Sequence, residues 1–96
     1  MKKTYSKKKT SAKVTFRVPA EVGAESAAVV GDFNEWSETE HPMKRRKDGS
    51  FSTTLTLKSG EYRFRYLVNG TTWENDWDAD KYVANEFGSE DSVVTV

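Results

Sequence analysis

His41 is the only histidine in the chain and there is no cysteine, so thiol nucleophiles, disulfides and thiolate metal sites are excluded by residue type. His41 precedes Pro42 in a charged stretch and reads as a surface residue rather than a catalytic base. Neither a nucleophile-elbow motif nor a Gly-rich phosphate loop is present. The acidic run Asp76-Trp77-Asp78-Ala79-Asp80 invites a calcium test. A calcium-hand loop starting at Asp76 needs Gly sixth and Glu twelfth, where this chain has Lys81 and Phe87. It fails. Carboxylates within five residues of one loop also do not make the cross-cleft pair that glycoside hydrolysis uses. The expectation is a chain that is not an enzyme and needs no cofactor.

The tryptophans remain. All three sit in polar surroundings: Trp36 in Phe-Asn-Glu-Trp-Ser-Glu, Trp73 in Gly-Thr-Thr-Trp-Glu-Asn-Asp, and Trp77 in Glu-Asn-Asp-Trp-Asp-Ala-Asp. An indole there either plugs the end of a core or forms an exposed platform. A pyranose offers an apolar C–H face to such a ring, with hydroxyls for amides, carboxylates or guanidinium. Covering roughly 60–100 Å² per stacked ring contributes on the order of 1.5–2.5 kcal/mol. After association costs, affinity should be about micromolar to millimolar.

The elements that must position these rings are strands. Ten Val, three Leu and no Ile make a β composition, and five Phe, four Tyr and three Trp supply burial that a 35% hydrophobic chain otherwise lacks. Ninety-six residues hold one hydrophobic core. Val14–Val18 alternates and stops at Pro19; Ser26–Asp32 is a small apolar run; Met43–Arg46 is short and charged. Asp48-Gly49 and Asn69-Gly70 are hairpin turns, the second predicting that Thr71–Glu74 folds straight back. Phe51–Leu57 and Tyr62–Val68 should supply the core, with Arg63, Arg65 and Leu67 facing outward, and Ser92–Val96 is the last strand. Residues 75–87 read as irregular. About seven strands predict an all-β antiparallel sandwich, with a partly open barrel as the alternative.

Charge is uneven within a formal net of zero. Residues 1–13 carry six lysines and no acid, and read as a disordered basic tail ahead of a domain spanning 14–96. The tail is either solubilising or an electrostatic tether; one aromatic and no Arg argue against nucleic acid as a partner. No apolar run reaches membrane-span length and no signal-peptide core is present, so the expected location is cytoplasmic, without membrane association.

Several segments together resemble carbohydrate-binding module family 48. They are Gly31-Asp32-Phe33-Asn34-Glu35-Trp36, Asp48-Gly49-Ser50-Phe51, Gly60-Glu61-Tyr62-Arg63-Phe64-Arg65-Tyr66-Leu67-Val68-Asn69-Gly70, Trp73-Glu74-Asn75-Asp76, Phe87-Gly88 and Ser92-Val93-Val94. That family comprises glycogen-binding domains of AMP-activated protein kinase β subunits and early-set domains of isoamylases and glycogen-branching enzymes. The resemblance implies an immunoglobulin-like early-set sandwich binding α-1,4-glucan, such as glycogen or starch-like polymers. It implies that Trp36 and Trp73 clasp the glucan, with Arg65 in place of a lysine that bonds sugar hydroxyls. Phe87 stands where a leucine wedges into the sugar helix. Asp91 stands where the family has a sugar-contacting Asn, with Ser89 in the same turn; an ionised Asp accepts but does not donate. An alternative is a module that docks a glycogen-metabolising enzyme without holding sugar.

Overall fold

The computed structural model describes all of residues 1–96. Nine strands build it: β1 (Lys2–Tyr5), β2 (Ser11–Val18), β3 (Ala27–Gly31), β4 (Lys44–Arg45), β5 (Phe51–Lys58), β6 (Glu61–Val68), β7 (Thr72–Glu74), β8 (Lys81–Ala84) and β9 (Glu90–Thr95). Two single-turn 3₁₀ helices, Ala20–Val22 and Asp32–Asn34, punctuate the loops. All pairings are antiparallel, and they form two sheets, β1-β2-β5-β4 and β3-β6-β9-β8, with β7 also on β6. This is a two-sheet β-sandwich, as the strand spacing predicts.

Period-two alternation decides what lies between the sheets. In β2, Ala12, Val14, Phe16 and Val18 are buried while Lys13 and Arg17 face water. Phe64, Tyr66 and Val68 of β6 meet them from the other sheet, with Val29 and Val94 beside. Phe16 and Phe64 pack edge to face, ring centroids 5.0 Å apart, and Phe33 leans on Phe16 at 5.4 Å. Such aromatic pairs add about 0.5–1.5 kcal/mol each beyond area burial. The Tyr66 hydroxyl ties three parts together. It accepts the Arg17 amide N–H at 3.2 Å and donates in a short bond to the Asp76 carboxylate.

Two expectations are corrected. Residues 1–13 are not a disordered arm: β1 pairs with β2 over Lys2–Tyr5, and β2 already begins at Ser11. Lysine stems are tolerated on the solvent side of an edge strand, which they protect from further pairing. The inward side is anchored by Met1, packed on the core, and by Lys3 Nζ, 2.6 Å from Asp80 Oδ2. Asp80 thereby finds its partner. Residues 75–87 are not wholly irregular either, because Lys81–Ala84 forms β8, whose exposed edge position leaves little apolar alternation to read.

Candidate functional site

The site is built on the outer face of the β3-β6-β9-β8 sheet. Register places Leu67 between Ala28 of β3 and Trp73 of β7, Arg65 beside Val30, and Arg63 beside Val93. Ala28, Val30 and Leu67 form a small buried cluster there, separate from the main core. Leu67, expected to face outward, does so and is nonetheless covered. The Asn69-Gly70 turn, with both residues at positive φ (54° and 71°), returns the chain so that Trp73 lies on this face. Asn69 Oδ1 accepts the amides of Glu25 and Ser26 at 2.8 and 3.1 Å, bracing the turn.

Trp36 arrives from the opposite side. Gly31 ends β3 against β6, where a Cβ would stand 2.5 Å from the Arg63 carbonyl oxygen; only glycine fits. Phe33 then enters the core, and Asn34 closes the loop: its Oδ1 accepts Gly31 N–H, and its Nδ2 donates to the Val29 carbonyl. Asn34 Nδ2 also lies 2.9 Å from His41 Nδ1, so the histidine braces a loop. Glu35 and Trp36 both take left-handed backbone conformations (φ 55° and 58°). Such paired strain in non-glycine residues is costly and is concentrated at functional loops. Trp36 Nε1 donates to Asp32 Oδ1 at 2.9 Å, and Asp32 Oδ2 accepts the Arg63 amide at 2.7 Å.

Between the two indoles lies an open cleft of about 730 Å³ lined by Asp32, Trp36, Arg63, Arg65, Trp73, Asn85, Phe87, Asp91 and two neighbours, Ala84 and Glu86. Trp36 and Trp73 are each 37% exposed, and Phe87 is 84% exposed. Arg65 forms no ion pair, and its Nε is buried without a partner. Of the six residues singled out in the sequence, five line this cleft. Ser89 does not; it sits on the adjoining turn, bonded to Asn85.

Asp91 lines the cleft and also makes contacts within the protein. It is 7% exposed, accepts from Asn85 Nδ2 at 3.1 Å, and lies 3.7 Å from an Arg63 nitrogen. Its carboxylate is engaged by the protein. Asn85 was missed in the sequence although it organises the whole turn. Its Oδ1 accepts the amides of Phe87 and Ser89, and Gly88 supplies φ 79°. An Asn two residues before an exposed aromatic is the Asx-turn signal that could have found it. Asp32 and Arg63 were also missed, because their roles are set across strands.

Trp77 is not in the cleft. Its ring stacks on Tyr66 (6.1 Å, 18°) at another part of the sandwich, which makes it a packing residue despite 46% exposure. Asp76, beneath it, is buried; desolvation pushes its carboxyl above the usual range, opposed by bonds from Tyr66 and the Asp78 amide.

Two indoles and an uncommitted guanidinium over one open groove of a β-sandwich are the build of a carbohydrate-binding module. The chain belongs to the family described as the glycogen recognition site of AMP-activated protein kinase, which it matches over residues 13–96. Over 45 residues it is 38% identical to 1,4-alpha-glucan branching enzyme GlgB 2 of Xanthomonas campestris pv. campestris, covering 47% of this chain and 6% of that enzyme. Over 49 residues it is 43% identical to Protein PTST, chloroplastic, of Arabidopsis thaliana (49% and 18%). Over 53 residues it is 36% identical to Protein PTST homolog 2, chloroplastic, of the same plant (55% and 10%). The aligned parts thus span less than a fifth of the length of these relatives.

Proposed function

We propose that this domain is a non-catalytic module that binds α-1,4-glucans, stacking glucose rings on Trp36 and Trp73. The observation that carries the reading is that both half-exposed indoles line the same cleft as an arginine with no protein partner. Each indole offers an apolar face to a sugar's C–H surface. Trp36 Nε1 is already bonded to Asp32, so that ring binds by its face and not by its N–H. Arg65 supplies donors to sugar hydroxyls, and its planar fork favours two acceptors at once. Phe87, projecting from the Asn85-organised turn, adds an apolar wedge at the rim. Asp91 acts indirectly, by holding Arg63 and Asn85. A glycogen-handling enzyme is the proposed context of such a module.

Native electrophoresis through a gel containing glycogen tests this. Retarded mobility is expected, abolished by Trp36→Ala plus Trp73→Ala in a protein that still melts cooperatively. Unchanged mobility of the wild-type chain would overturn the assignment, and quenching of fluorescence by maltoheptaose that survives the double substitution would show the wrong indoles are named.

A further inference from the structure

Formal neutrality conceals a pronounced separation of charge. Residues 1–18 and 43–58, which form the β1-β2-β5-β4 sheet and its turns, hold twelve of the fifteen lysines and arginines and a single acid, Asp48. The rest of the chain holds three cations and fourteen carboxylates. Strand alternation and register then sort the cations of that sheet. Lys2, Lys13, Arg17, Lys44 and Lys58 share its outward face, which is the side of the sandwich away from the cleft, and Arg46 reaches it through a 2.6 Å bond from Nε to Ser52 Oγ. No acid lies on those strand positions. All six are exposed; only Arg17 has an ionic partner, Asp48, at 3.8 Å. The positions between them are hydroxyls, with Thr15 and Thr54 bonded to each other at 3.2 Å.

A sheet face with six exposed cations and a single neighbouring acid, Asp48, keeps a field that salt screens only beyond about 8–10 Å. We infer that this face is a docking surface for an acidic polypeptide, engaged independently of the cleft on the opposite side. The chemistry favours protein over other polyanions. The outward positions carry no aromatic ring for stacking bases and no element that enters a groove. They carry no apolar side chain to bury in a bilayer. Their hydroxyls accept as well as donate, matching a polypeptide that offers both carboxylates and amide N–H groups, whereas a phosphate chain offers acceptors alone. In relatives the matched segment is at most 18% of the protein, so long stretches of further polypeptide accompany the module there.

Poly-L-glutamate is the probe, with an oligothymidylate and phosphatidylcholine/phosphatidylserine vesicles as rival arms at the same ionic strength. Lys13→Thr, Arg17→Thr, Lys44→Thr and Lys58→Thr together should weaken poly-L-glutamate binding by at least about tenfold. Replacing four turn cations (Lys7, Lys8, Lys9 and Lys47, each to Gln) should cost less than about threefold. Should the fourfold face variant not fold, Lys13→Thr with Lys44→Thr replaces it, with an expected loss of about threefold to fivefold and no loss in a turn pair, Lys7→Gln with Lys8→Gln. Glycogen added at saturation should leave poly-L-glutamate binding unchanged. Equal losses in face and turn variants, tighter binding of the oligonucleotide or vesicles than of poly-L-glutamate, or displacement by glycogen would each overturn the inference. The face-against-turn comparison and the rival oligonucleotide and vesicle arms read out whether or not the cleft binds sugar.

Discussion

Asp32 joins Trp36 to the backbone of β6: one carboxylate oxygen takes the indole N–H at 2.9 Å and the other takes the Arg63 amide at 2.7 Å. The ring is therefore oriented before any ligand arrives, which lowers the ordering cost of binding. Asp32→Ala should reduce glucan affinity about threefold to tenfold and stability by about 1 kcal/mol, the loss of modest exposed charge-assisted bonds. Titration with maltoheptaose and a denaturant melt check both; an affinity equal to wild type would show that the indole is held by other contacts.

The turn that carries Phe87 depends on Asn85, whose side chain bonds Phe87, Ser89 and Asp91. Asn85→Ala should therefore weaken glucan binding about as much as Phe87→Ala does, because a freed turn must be ordered on binding. Double-substitution analysis is the measurement. Strict additivity of the two losses would count against a shared role.

Stability should respond to pH with opposite signs at two neighbouring carboxyls. Desolvation raises Asp76, so its folded form holds a proton more tightly than the unfolded chain does; its contribution declines as pH rises from about 4 through the folded value. For Asp80 desolvation is outweighed by bonds from Lys3 and the Thr95 amide, which lower it, so its contribution is present above the unfolded value and lost as pH falls. Melting temperature followed from pH 3 to 7 should show a smaller acid-side drop in Asp80→Asn and a smaller decline above pH 4 in Asp76→Asn. Profiles parallel to wild type in both variants would refute the linkage.

Gly31 is needed for close approach and not for an unusual φ. A Cβ there would lie 2.5 Å from the Arg63 carbonyl oxygen and 2.7 Å from Phe64 Cβ, both fixed by the sheet. Gly31→Ala should destabilise the fold by about 1–3 kcal/mol. It should also weaken glucan binding, since the strand end launches the Trp36 loop. A melting temperature within a degree of wild type would contradict the packing.

Much of this was legible in one dimension. The alternation of Val14–Val18 and Tyr62–Val68, and the Asn69-Gly70 turn, are local properties with period two or with one demanded backbone conformation, so they declare strands, faces and reversal without a partner. The polar settings of all three tryptophans announced partly exposed rings, and the family motif singled out Trp36 and Trp73, which line one cleft. Tertiary structure decided what depends on a second strand. Lys2–Tyr5 is a strand only because β2 offers an edge and Asp80 a counter-charge. Asp91 is occupied only because register brings Arg63 and Asn85 to it. Trp77 belongs to packing because Tyr66 lies under it, although its neighbours in sequence are as polar as those of Trp73. Hydrogen bonds and stacking act over a few ångströms, and residues far apart along the chain come that close only once the sheets have formed.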